Sequence, residues 1–126
     1  MAIARQDVEA FFTDYGRALG SRDATSIATH WGIPGLVMSD AGAVPVTSAG
    51  DVEAFFSSAM PQYAGVAEAE AIIVHVAWLS ANVVAVEIQW QHKDDRGNTV
   101  GGESGHYMLG KQSDRLSIHV YAPKTA

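Results

Sequence analysis

The chain has 126 residues, 48% of them hydrophobic and 17% charged, a composition that suits one globular domain and excludes a disordered segment. Eight Lys and Arg against fourteen Asp and Glu leave a formal charge of −6. The cations are scattered from Arg5 to Lys124 without a run, which excludes nucleic acid and an anionic membrane as partners. Cysteine is absent, so disulfides, thiolate metal sites and a cysteine nucleophile are excluded too.

The opening residues, Met1 to Asp7, lack the basic-then-apolar order of a secretory leader, and the expectation is a cytoplasmic protein. Asp7–Leu19 reads as a helix, with Val8, Phe11, Phe12, Tyr15 and Leu19 on one apolar stripe and Gly20 as its stop. Asp23 is placed to cap a short second helix through His30, and Gly32-Ile33-Pro34-Gly35 ends it. Leu36–Ser39 reads as a short strand, Asp40-Ala41-Gly42 as a tight turn and Val44–Thr47 as the return. Pro45 inside that return marks an edge strand. Ser48 to Asp51 opens a third helix through about Tyr63, carrying Val52, Phe55, Phe56, Ala59 and Met60, which Pro61 ends or kinks.

From residue 70 the period changes to alternation. Glu70–Leu79, Val83–His92, Gly101–Leu109 and Leu116–Tyr121 read as strands, and their short turn-rich connections predict antiparallel neighbours. Helices first and a meander second is the α+β pattern. Val84, Val86, Ile88 and Trp90 share one face of their strand; Glu87, Gln89 and Gln91 share the other. The strand before it is apolar on both faces. A helix layer covers only one face of a sheet, so a homodimer through the other is expected. Glu70, His75, Ser80 and Asn82 interrupt the longest apolar stretch, which therefore does not span a bilayer.

The chemistry-bearing residues give weaker signals. His75, His92, His106 and His119 fall one on each long strand, with His30 on a helix. Parity sets His75 opposite Val74 and Trp78 and puts His92 with Ile88 and Trp90. That argues against one cluster, so neither a metal nor another cofactor is expected. Gly101-Gly102-Glu103-Ser104-Gly105 lacks the following helix and lysine of a phosphate loop and reads as a strand start or bulge. Ser104 and His106 share a face without a nucleophile elbow. Trp31, Trp78 and Trp90 read as core or dimer-face anchors.

Helix, short helix, small hairpin, helix and four long strands is an order that resembles the nuclear transport factor 2-like (SnoaL-like) superfamily. The stretch Asp7-Val8, Phe12, Tyr15, Leu19, Arg22-Asp23, Ile27, Trp31 carries the resemblance, with Asp51-Val52-Glu53-Ala54-Phe55-Phe56 as the third helix. It implies a cone-shaped, curved antiparallel sheet wrapped around three N-terminal helices, with frequent dimers through the sheet's outer face. It also implies a deep pocket for a small apolar organic ligand, walled here by Phe12, Trp31, Phe56, Met60, Met108 and His119. The superfamily includes enzymes, ligand binders and non-catalytic dimerisation modules. Its ketosteroid isomerases use a helix-one tyrosine, a carboxylate base and a strand carboxylic acid. By resemblance Tyr15 and Asp40 take the first two places, and His106 stands where the acid would be. An imidazole N–H can donate to an oxyanion or act as a base. The implied activity is that of an acid–base isomerase, lyase or cyclase acting on a carbonyl compound. The alternative is a non-catalytic ligand-binding or dimerisation domain. Each residue also has a plainer reading: Tyr15 in the core, Asp40 bonding its own turn, His106 as a structural hydrogen-bonding group.

Overall fold

The computed structural model describes residues 2–124. Helix α1 runs Arg5–Ser21. Its start is set by Asp7, whose carboxylate accepts the Ala4 N–H at 2.9 Å. Its end is set by Arg22, which takes φ 57° and returns its N–H to the Leu19 carbonyl. Gly20, the expected stop, lies inside the helix and serves packing instead. A Cβ on Gly20 would stand 3.1 Å from the Ala67 carbonyl oxygen, and one on Gly16 only 2.4 Å from that of Ala69. Glycines one turn apart thus let the helix backbone touch the strand beside it. The stripe of Val8, Phe11, Phe12, Tyr15 and Leu19 is buried, as its period requires.

Helix α2, Ala24–Ala28, is capped by the Asp23 carboxylate, which accepts the Thr25 N–H. It stops short of His30 because strand β1 begins at Trp31. β1 is Trp31–Ser39, so Gly32-Ile33-Pro34-Gly35, expected to end the helix ahead of a strand from Leu36, already belongs to the strand. That segment is irregular: Trp31 pairs with Ile118 and Leu36 with Val120, and the Ile33–Pro34 bond is cis. β2, Gly42–Val46, is the edge strand that Pro45 requires. Helix α3, Ala49–Ala59, starts at Ser48, whose hydroxyl accepts the Asp51 N–H at 3.2 Å. Pro61 sits in the 3-10 turn, Met60–Tyr63, that follows.

The remaining strands are β3, Glu68–Ser80, β4, Val83–Lys93, β5, Thr99–Gln112, and β6, Arg115–Lys124. The curved sheet has the order β2-β1-β6-β5-β4-β3. β3 to β6 are antiparallel neighbours, as their short connections predict. The β1–β6 pair is parallel, which departs from a sheet antiparallel throughout. No short loop joins those two strands, so connection length carried no information about their sense.

β4 is the most regular strand: Val84, Val86, Ile88 and Trp90 are buried and Gln89 is exposed. β3 breaks its alternation, because Ile73 pairs with Ile88 and His75 with Glu87, leaving Val74 as the extra residue of a bulge. The apolar residues on its outer side, Ile72, Val74 and Leu79, are exposed. Inside, Phe12 meets Tyr107 and Trp90 edge-on at 5.1 and 6.2 Å. This aromatic layer is the floor on which the cavity described below is built.

Candidate functional site

All four tyrosines of the chain, Tyr15, Tyr63, Tyr107 and Tyr121, line one cavity of about 240 Å³. Leu19, Phe55, Phe56, Ala59 and Pro123 complete its apolar wall, and Glu103 is its one charged residue among the described residues. Each element contributes by its own period. α1 presents Tyr15 and Leu19 four residues apart, α3 presents Phe55, Phe56 and Ala59, and the 3-10 turn presents Tyr63. β5 presents Glu103 and Tyr107, which share a face as residues four apart on a strand do. Gly105 lies between them. A Cβ there would stand 2.7 Å from the Tyr121 ring. Its absence lets Tyr121 lean across β5 and stack on Tyr107 at 4.8 Å, with 25° between the planes.

The polar atoms are held in order. The Tyr63 hydroxyl donates to Glu103 Oε1 at 2.9 Å. Trp31 Nε1–H donates to the Tyr15 hydroxyl at 3.2 Å, and Trp90 Nε1–H donates to that of Tyr107 at 2.9 Å. Burial pushes the ionisation of Tyr15, Tyr63, Tyr107 and Tyr121 well above the ordinary phenol range. The negative charge of Glu103 adds to the rise at each of them, and the indole hydrogen bonds to Tyr15 and Tyr107 oppose it. The tyrosines are therefore neutral phenols at any physiological pH.

The expected site residues do not converge. Tyr15 and Phe56 reach the cavity; the other seven lie elsewhere. Asp40 is exposed in the turn between β1 and β2, at the far edge of the sheet. His106 lies on the outer face of β5, beside Glu87 at 3.6 Å. A one-residue step on a strand reverses the face, and the inward residues there are Gly105 and Tyr107. Met108 is outward for the same reason. His119 is the extra residue where β6 bulges, since Met108 pairs with Val120 and Leu109 with Ile118. Its ring lies against Gly32 and Gly110, and Nδ1 is 3.1 Å from the Pro34 carbonyl oxygen. Phe12 is buried in the floor. Trp31 packs edge-on to Phe56 at 6.3 Å and acts on the cavity through its bond to Tyr15. Met60 packs half-buried against the core.

Glu103 is the residue the sequence reading passed over. Its signal was present: counting back by twos from Leu109 and Tyr107 leads to Gly105 and then Glu103. His92 is also inward and buried, ring to ring with Tyr63 at 5.1 Å, and its Nε2 has no hydrogen-bond partner among the described residues. Four other clefts, of about 370, 430, 360 and 260 Å³, are larger but more open to the surface; the first two lie beside α1, and the third is lined by Val83, Met108, Leu109 and His119. Among the described residues no three His, Asp or Glu side chains are grouped to hold a metal ion, and no helix is long and apolar enough to cross a membrane.

Helices laid in the concave side of a curved sheet, with an aromatic cavity between them, define an α+β pocket fold. The chain belongs to the NTF2-like family: the family profile described as NTF2-like protein (DUF6841) matches residues 6–126. Among solved structures, an NTF-2 like protein of unknown function from Shewanella oneidensis is 16% identical with a TM-score of 0.73, over 95% of this chain and 98% of that one. A domain of unknown function with a cystatin-like fold from Nostoc punctiforme is 12% identical with a TM-score of 0.73, over 96% and 77%. A ketosteroid isomerase-like protein from Erwinia carotovora atroseptica is 15% identical with a TM-score of 0.65, over 94% and 95%. At these identities the likeness is one of fold. No functionally curated protein matches the sequence.

Proposed function

We propose that this chain is a ligand-binding protein that takes a small organic molecule into the tyrosine-lined cavity, oriented by Glu103. The observation that carries the reading is the Glu103 carboxylate, held by the Tyr63 hydroxyl at 2.9 Å in an otherwise apolar wall. Apolar walls with a few placed polar groups are the usual composition of a small-molecule site. Water occupies roughly 30 Å³ per molecule in the liquid, so the volume holds about eight waters or an organic ligand of about ten heavy atoms.

A second reading is acid–base chemistry beside a carbonyl, of the isomerase, lyase or cyclase kind. It is favoured by the same Glu103–Tyr63 pair, now with Glu103 as base. The hydroxyl of Tyr15 accepts from an indole, which leaves its own proton available for an oxyanion. With Asp40 and His106 outside the cavity, this chemistry would rest on Glu103 as the one carboxylate or imidazole among the described residues there, so binding is the better-supported function.

Both readings are tested by ligand-observed NMR with a set of neutral and charged fragments of about ten heavy atoms, including small ketones in D₂O. Binding that Phe56→Trp blocks by filling the cavity supports a ligand site there, and no binding by any fragment refutes it. Deuterium uptake at the α-carbon of a bound ketone, falling about 10²–10⁴-fold in Glu103→Gln, would establish the second reading. Uptake that Glu103→Gln does not change would exclude it.

A further inference from the structure

We infer that the ligand of this cavity is a small alkylated ammonium, an organic cation whose charge rests among the tyrosine and phenylalanine rings and opposite Glu103. The inference rests on the ligand-binding reading above and names the chemical class of that ligand.

The Glu103 carboxylate has no cationic counterpart in the cavity wall among the described residues. Glu103 is the cavity's only charged residue, and no Lys, Arg or His lines it among the described residues. The ion pairs of the described residues, Arg5–Glu9, Arg17–Asp14, Lys93–Glu70, and Lys124 and His106 with Glu87, all lie elsewhere. A carboxylate offers about four lone-pair sites, and one of these takes the Tyr63 proton. The sites left over face the cavity and can accept a cation from outside the chain.

The walls favour the same sign. Tyr15, Tyr63, Tyr107, Tyr121, Phe55 and Phe56 surround the space. The faces of such rings carry the negative lobe of their quadrupole, which attracts cations and repels anions. The tyrosines stay neutral, and Glu103 contributes to the rise in ionisation of all four, so its field reaches every phenol of the cavity. Outside, the net charge of −6 biases long-range encounter toward cations.

The ring-lined, largely apolar wall selects the kind of cation. The hydroxyl oxygens of Tyr15 and Tyr107 already accept indole N–H groups. A primary ammonium is compact and strongly hydrated, and it must give up that water against an apolar wall. A trimethylammonium head brings no N–H donor and spreads its charge over methyl groups that pack on rings, the recognition mode of aromatic cages.

The test compares choline with 3,3-dimethyl-1-butanol, its uncharged carbon isostere, by calorimetry or ligand-observed NMR on the whole chain. The expected result is choline binding at least about tenfold tighter, with the gap narrowed in Glu103→Gln. Phe55→Leu keeps apolar volume while removing one ring face. It should weaken choline severalfold and leave the isostere unchanged, a readout that does not depend on Glu103→Gln folding. Equal affinity for the two probes, or a gap that both substitutions leave intact, overturns the cation inference while the pocket stands. Binding of neither probe overturns the inference too, and the neutral fragments of the wider set then decide whether the pocket reading survives it.

Discussion

Replacing Gly16 by alanine should destabilise the protein although alanine is the better helix former. In a helix interior the exchange favours the helix by about 0.8–1.0 kcal/mol. Here the added Cβ would stand 2.4 Å from the Ala69 carbonyl oxygen and 3.2 Å from the Trp90 ring. Real Cβ atoms essentially never approach a neighbour within 3.0 Å, so helix and strand must part by about 0.6 Å. Both sides of the contact are backbone, and neither can swing away. Overpacking of this kind costs about 1–3 kcal/mol, and the retreat of α1 also loosens Phe12 and Tyr15 against Trp90 and Tyr107. The 2.4 Å approach to backbone puts the cost in the upper part of that range, about 2–3 kcal/mol, so a net loss of about 1–2 kcal/mol is expected after the propensity gain. At about 2.1 cal/mol/K per residue, that lowers the melting temperature by roughly 4–8 °C. The control is Gly50→Ala in α3, whose Cβ would meet nothing closer than the Ser48 hydroxyl at 3.6 Å; it should be neutral or stabilising. Urea and thermal unfolding of the two variants give the comparison. A Gly16→Ala protein as stable as the parent, or more so, refutes the backbone contact between α1 and β3.

Further outcomes follow from the same contacts. Phe56→Ala empties a ring that is 5% exposed and should cost about 3–5 kcal/mol in urea unfolding; a loss below about 1 kcal/mol would mean that α3 is not docked as described. Tyr107→Phe removes the acceptor of the buried Trp90 N–H, and the orphaned donor should cost about 1–3 kcal/mol, visible also as a shift in tryptophan fluorescence. Because burial raises the folded-state ionisation of Tyr15 and Tyr107, their contribution is complete below the unfolded phenol value of about 10. Above it the unfolded chain releases protons that the folded chain keeps, so stability must fall as pH rises from about 10. Tyrosines that all titrate near pH 10 in the folded protein, followed at 295 nm, would contradict this. Ile72, Val74 and Met108 leave apolar surface on the sheet's outer side, and light scattering at micromolar concentration should report a dimer, with a monomer mass removing that expectation.

The elements themselves were legible along the chain because each is a local pattern. The stripe of Val8, Phe11, Phe12, Tyr15 and Leu19 needs only the period of a helix, and the alternation of Val84, Val86, Ile88 and Trp90 only that of a strand. Asp23, Ser48 and Pro61 mark helix ends through bonds spanning two to four residues, and Pro45 marks an edge by the donor it lacks. What tertiary structure decided is everything that depends on a partner distant in sequence. Gly20 looked like a stop and proved to be a packing position, because the Ala67 carbonyl it accommodates is 47 residues away. The parallel pairing of β1 with β6 has no local signal, since no turn joins them. The bulges at Val74 and His119 shift side chains by one residue, and a strand's period of two turns one residue into a change of face. On β5, whose register is regular from Gly101 to Leu109, the odd spacing alone puts His106 outside and Glu103 within. The cavity is the extreme case: Tyr15, Tyr63, Tyr107 and Tyr121 come from four separate elements, and only the folded sheet brings them around one carboxylate.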